Sequence, residues 1–238
     1  MMAFDLSTSR DTFIGAILFL SSVLVVLFFA TRDRKRTGIT IAAILLMWFM
    51  LVVGLAQFNF FSLELLLAPN IFLGFIILFI LLQKAYASTT IKNVGKRISL
   101  PWLIAIQTYR VVGIVFLSMY SQGFLPGFFA FPAGFGDLLV GITAPFVAFF
   151  LWKKTSWSRK LARWWNYLGI LDLVVAIGVG IFGYPLFQLF LEKPFQIVAM
   201  NPSTGIMASY PMVLIPLFIV PLGMILHLMG LRELKRNI

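Results

Sequence analysis

The chain has 238 residues, of which 61% are hydrophobic and 11% charged, and its net charge is +11. A mean hydropathy of +1.00 excludes a water-soluble fold of this size, because most residues of a small domain touch water. Cysteine is absent and His227 is the single histidine, which excludes disulfides, thiolate chemistry and a multi-histidine metal centre within one chain.

About 20 consecutive apolar residues cross a bilayer as a helix. Seven such spans are predicted, at 13–30, 39–57, 63–83, 101–120, 132–152, 166–187 and 209–231. They make one all-α transmembrane domain over residues 1–238, a seven-helix bundle undivided by any polar linker. The first span does not read as a signal peptide. Asp5, Arg10 and Asp11 precede it in place of a basic n-region, and Arg32, Arg34, Lys35 and Arg36 follow it.

The basic residues orient the bundle. Segments 31–38, 84–100, 153–165 and 232–238 hold 16 of the 19 Lys and Arg residues, whereas the opposite segments hold Arg10 and Lys193. Short loops rich in Lys and Arg stay inside, so the N-terminus is expected outside and the C-terminus in the cytoplasm, as in a multi-pass protein of the bacterial inner membrane. Trp102, Trp152, Trp157, Trp164 and Trp165 fall at the same ends, at the headgroup level that tryptophan prefers. The basic and aromatic stretch 153–165 is expected to lie on the inner interface against anionic lipid rather than nucleic acid. Residues 120–131 are too apolar for a free loop and should lie at the outer interface or fold back over the bundle. The longest outer connection is expected at 188–208, and Asn201 in it is followed by proline, so it is no glycosylation acceptor.

Four ionisable residues fall within spans: Arg110, Asp137, Asp172 and His227. A charge at mid-bilayer costs at least ~2.5–3.5 kcal/mol, which makes them, with Asn70 and Asn166, the candidate intramembrane polar site. The plainer alternative is a set of ion pairs that only hold helices together. At ~1.5 Å per residue, Arg110 lies ~13 Å and Asp172 ~9 Å in from the cytoplasmic ends, and Asp137 ~7 Å in from the outer end. Arg110 is therefore expected to pair with Asp172, whereas Asp137 would need a long reach or a water.

Gly134 to Ile142 and Gly169 to Ile177 match at five of nine positions, including the aspartates. In neighbouring antiparallel helices that is a weak form of the inverted arrangement found in transporters. Glycines 134, 136, 141, 169, 178, 180 and 183 would let helices 5 and 6 pack closely, and the first three helices look like a lipid-facing scaffold. Pro69, Pro211, Pro216 and Pro221 are expected to kink helices 3 and 7. Pro216 would free the carbonyl of Met212 and Pro221 that of Leu217, and each then needs a partner such as His227 or Arg110.

Tyr109-Arg110-Val-Val-Gly113, Leu125-Pro126, Phe131-Pro132-Ala-Gly-Phe-Gly-Asp137, Asn166 to Ala176, and Tyr210-Pro211 through His227 and Arg232 resemble a group of uncharacterised bacterial integral membrane proteins. The resemblance spans residues 101–236 and implies membrane location with no established activity.

A retinal protein is set aside because the last span has no lysine for a Schiff base before Lys235. A serine protease is set aside because its serine needs a base, His227 is the single histidine and there is no G-x-S-x-G. Three functions compete. The first is transport or binding of a small solute or ion within helices 3–7. The second is a structural subunit of a membrane complex, with a protein partner or a second copy of the chain. The third is an intramembrane enzyme on lipid, using Asp137 and Asp172. No cofactor is implied.

Overall fold

The computed structural model describes residues 6–65, 68–185 and 202–236. Asp5, Lys193, Asn201 and most of the 188–208 connection lie outside the described residues. Among those described, seven helices are long and apolar enough to cross a membrane.

Helices α1 (Leu6–Thr31) and α2 (Lys35–Gln57) form an antiparallel hairpin. Ala16, Phe19, Val23 and Leu27 face inward from α1, and Leu45, Phe49, Val52 and Ala56 from α2. Both sets repeat every three or four residues, the period of one helical face. The other faces expose Leu18, Phe28, Phe29, Met47 and Met50, a surface that only lipid would cover without cost.

The third span begins later than its hydropathy implies. Glu64–Leu65 (β1) pairs antiparallel with Ala68–Pro69 (β2), and α3 runs Asn70–Ala87. Pro69 therefore precedes the helix and does not kink it, since a residue without an N–H is harmless just before a first turn. Asn70 Nδ2 donates to the Phe60 carbonyl at 2.9 Å, which ties the start of α3 back to the end of α2. A short helix α4 (Thr89–Gly95), capped by Ser88, lies within the expected loop.

The fourth span has three parts: α5 (Leu100–Ala105), a 3-10 segment (Ile106–Gly113) and α6 (Ile114–Ser121). A 3-10 helix has three residues per turn, so side chains at i and i+3 eclipse. Gln107, Arg110 and Gly113 consequently share one stripe, and all three are buried. After α6 the chain turns at Gly123, whose φ of +76° suits glycine. Phe124 N–H returns to the Met119 carbonyl at 2.8 Å, and Leu125 is fully buried, so this segment folds back over the bundle.

Helix α7 (Gly127–Trp152) is the centre of the fold, packed on α5, the 3-10 segment, α6 and α8 (Ser158–Phe182). Both helices start earlier than expected, α7 by five residues and α8 by eight. Residues 158–165 of the 153–165 stretch are thus the first turns of α8. Trp102, Trp152 and Trp164 are exposed at span ends, but Trp165 is 5% exposed and belongs to the core.

The last span starts at Ile215, not 209. A 3-10 turn (Thr204–Ala208) leads to an irregular stretch in which Met212, Val213 and Leu214 have no exposure. Irregular backbone inside a membrane is tolerated where protein buries it. Pro211 lies in this stretch, Pro216 in a π-turn (Ile215–Ile219) and Pro221 in the first turn of α9 (Val220–Arg236). The Met212 carbonyl accepts the Ile215 N–H at 2.9 Å, and the Leu217 carbonyl accepts the Trp48 indole at 3.0 Å. Neither uses His227 or Arg110.

The basic segments gather at one end of the bundle. Arg97 approaches Asp33 at 3.5 Å, Arg159 donates to the Leu234 carbonyl at 3.1 Å, and Arg232 donates to the Tyr86 carbonyl at 2.6 Å.

Candidate polar site at the centre of the bundle

Along both the fourth span and α7, two apolar clusters are separated by polar residues. Leu100 and Ile104 belong with Val140, Ala144 and Leu151. Val115, Phe116 and Met119 belong with Phe129, Ala130 and Ala133. Between them sit Arg110 and Asp137.

Arg110 is 1% exposed, and its guanidinium has partners on α7, α8 and α9. Nε donates to Asp137 Oδ1 at 2.7 Å, and Nη2 pairs with Asp172 Oδ2. Nη1 lies 3.3 Å from the Gly169 carbonyl and 3.3 Å from His227 Nε2. His227 Nδ1 is 3.0 Å from Asn166 Oδ1, and Asn166 Nδ2 donates to the Ala162 carbonyl at 2.7 Å. The donors fix the histidine tautomer. Arginine can only donate, so Nε2 accepts and Nδ1–H donates to the amide oxygen. The Trp165 ring lies 5.2 Å from the His227 ring, and its indole donates to Thr143 Oγ1 at 2.9 Å.

The expected Arg110–Asp172 pair forms, and Asp137 joins it directly. The depth placing Asp137 out of reach assumed that α7 starts at Pro132. Counted from Gly127, Asp137 is ten residues in, or ~15 Å, level with Arg110. Asn166 and His227 enter the cluster too, whereas Asn70 stands apart at the head of α3.

Glycines make this convergence fit. A Cβ on Gly141 would strike the Arg110–Val111 backbone, one on Gly136 the Asp172 carboxylate, and one on Gly169 the His227 ring. Gly178 has open space around it and plays no such part.

Two further polar side chains escaped the sequence reading. Gln107 Nε2 donates to the Gly223 carbonyl at 3.1 Å, while its Oε1 and the Tyr109 hydroxyl are buried with no hydrogen-bond partner among the described residues. Both atoms lie near Gly223. The available signal for Gln107 was its three-residue step to Arg110, which puts the two on one helical face.

The cluster borders open space. A cavity of about 60 Å³ is lined by Phe72, Phe75, Phe116, Phe129 and Tyr184, with Asp137 at its wall. A smaller one, about 30 Å³, touches Tyr109, Arg110 and Asp137. The Asp137 side chain is 19% exposed and that of Asp172 10%. With both carboxylates ionised, one guanidinium faces two negative charges, and the cluster carries a net charge of −1. A buried excess charge calls for a proton or a cation.

Fold and site together define a polytopic helical membrane protein with a charged cluster at the heart of its bundle. A family described as a domain of unknown function (DUF8737) matches residues 66–235, well over half of the chain, and the chain belongs to it. That stretch contains every member of the cluster and omits α1 and α2. No curated protein and no solved structure matches the chain.

Proposed function

We propose that this protein binds a small solute or ion inside its bundle and carries or senses it, with Arg110, Asp137, Asp172, His227 and Asn166 as the polar site. The observation that carries the reading is the position of Asp137, which shares one guanidinium with a second carboxylate and also walls a cavity. A purely structural ion pair needs neither feature. The reading of the chain as a structural subunit draws support from one observation: the cluster is hydrogen-bonded through to Ala162. A hydrolytic pairing of Asp137 and Asp172 has less support, because both carboxylates are held by the same guanidinium.

The natural absence of cysteine gives the test a clean background. Ala176 lines the cavity, and Ala144 lies in the dry core. Ala176→Cys should react with small water-borne thiosulfonate reagents, and Ala144→Cys should not. Absence of reaction at Ala176→Cys under every condition would favour the structural reading.

We also propose the bacterial inner membrane as the location, with the N-terminus out and the C-terminus in. The support is the gathering of basic segments at one end. At that end Lys92, Lys96, Arg232, Lys235 and Arg236 line a groove suited to anionic lipid headgroups.

A further inference from the structure

We propose that the cavity beside Asp137 is a subsite for a small organic monocation, an ammonium group on a compact apolar body. The inference rests on the solute-binding reading above and names the class of solute. Three observations carry it.

The first is charge. Among the described residues, Arg110 is the one Lys or Arg lining either cavity, and it already serves two carboxylates. His227 accepts a hydrogen bond from it and so adds no positive charge. A bound cation brings the cluster to neutrality, whereas an anion would add to the excess.

The second is the free face of the carboxylate. Asp137 uses Oδ1 for Arg110, and among the described residues its Oδ2 has no hydrogen-bond donor. Its side chain is 19% exposed, against 1% for that of Arg110. The guanidinium is enclosed by protein, and the carboxylate is the charged group left to meet a ligand.

The third is the wall. Apart from Asp137, Thr204 and the Tyr184 hydroxyl, the lining is apolar; Thr204 Oγ1 already donates to the Gly180 carbonyl at 2.6 Å, and Phe116 lies edge-on to Phe129 at 5.3 Å and Phe72 edge-on to Tyr184 at 5.3 Å. Aromatic faces attract a desolvated ammonium. A sugar or an amino-acid carboxylate would find few hydrogen-bonding groups here. The size, about 60 Å³, limits the occupant to a handful of heavy atoms.

The test is the charge preference of Ala176→Cys in purified protein. A thiosulfonate carrying an ethylammonium and one carrying an ethylsulfonate are compared, each rate being divided by its rate with a free thiol. The cationic reagent should be favoured roughly tenfold or more, as focused fields in clefts allow. Asp137→Asn, which leaves one guanidinium with one carboxylate, should bring the ratio close to one. Isobutylamine should slow labelling, and isobutanol at the same concentration should not. If both reagents react, with a ratio that Asp137→Asn does not change, the solute site stands and the cation class is overturned. Should neither react, the solute-binding reading fails, and this inference with it. Where Asp137→Asn does not fold, the amine-against-alcohol comparison decides in the parent Ala176→Cys protein, and equal protection by both overturns the proposal.

Discussion

Arg110 stays charged at any reachable pH, so the stability of the bundle depends on how many carboxylates remain beside it. Replacing Arg110 by Gln leaves Asp137 and Asp172 facing each other without a cation, and should cost about 3–5 kcal/mol. Asp172→Asn leaves the Arg110–Asp137 pair at 2.7 Å and should cost well under half as much. The Asp137→Asn and Asp172→Asn double variant strands the guanidinium and should be as harmful as Arg110→Gln. Thermal unfolding in detergent ranks the three variants against the parent protein. Equal losses for Asp172→Asn and the double variant would mean that Asp137 gives Arg110 no support. With a single partner the ranking would differ, since loss of Asp172 alone would already strand the cation.

At the scale of elements, the 3-10 segment and α7 determine where the cluster sits. The tighter helix aligns Gln107, Arg110 and Gly113, and Gly141 lets its backbone reach α7. Gly141→Ala should therefore destabilise by about 1–3 kcal/mol, as overpacking does. Gly178→Ala meets nothing within 4 Å and should be neutral or stabilising by up to about 1 kcal/mol, because alanine favours the helix. Denaturant melts of the two variants side by side check the contrast. A loss at Gly178→Ala equal to that at Gly141→Ala would mean that close approach to the Arg110–Val111 backbone is not what sets Gly141 apart.

For the whole molecule, basic segments at one end and an exposed apolar surface around the bundle define a membrane protein, and the proposed orientation follows from the basic loops. In intact cells, Ser62→Cys in the α2–α3 connection should react with a membrane-impermeant thiol reagent, and Ser156→Cys between α7 and α8 should react only after lysis. Both positions are exposed in the structure. The reverse pattern would invert the topology.

The seven spans and the basic end were legible in the sequence, because hydropathy and loop charge act over whole segments and need no knowledge of neighbours. The membership of Arg110, Asp172, His227 and Asn166 in one region was legible for a related reason: lipid makes each of them expensive wherever it lies. Only the tertiary structure decided that Asp137 stands level with Arg110, since that depends on where α7 begins. Glycine and phenylalanine at 127–131 do not distinguish an interfacial loop from a first helical turn. Tertiary contact also decided that Trp165 is a core residue, that Trp48 serves the Leu217 carbonyl, and that the stripe from Gln107 to Gly113 runs at three residues per turn. Each of these depends on which helix lies alongside, and a partner 169 residues away, as Leu217 is from Trp48, leaves no mark on local periodicity.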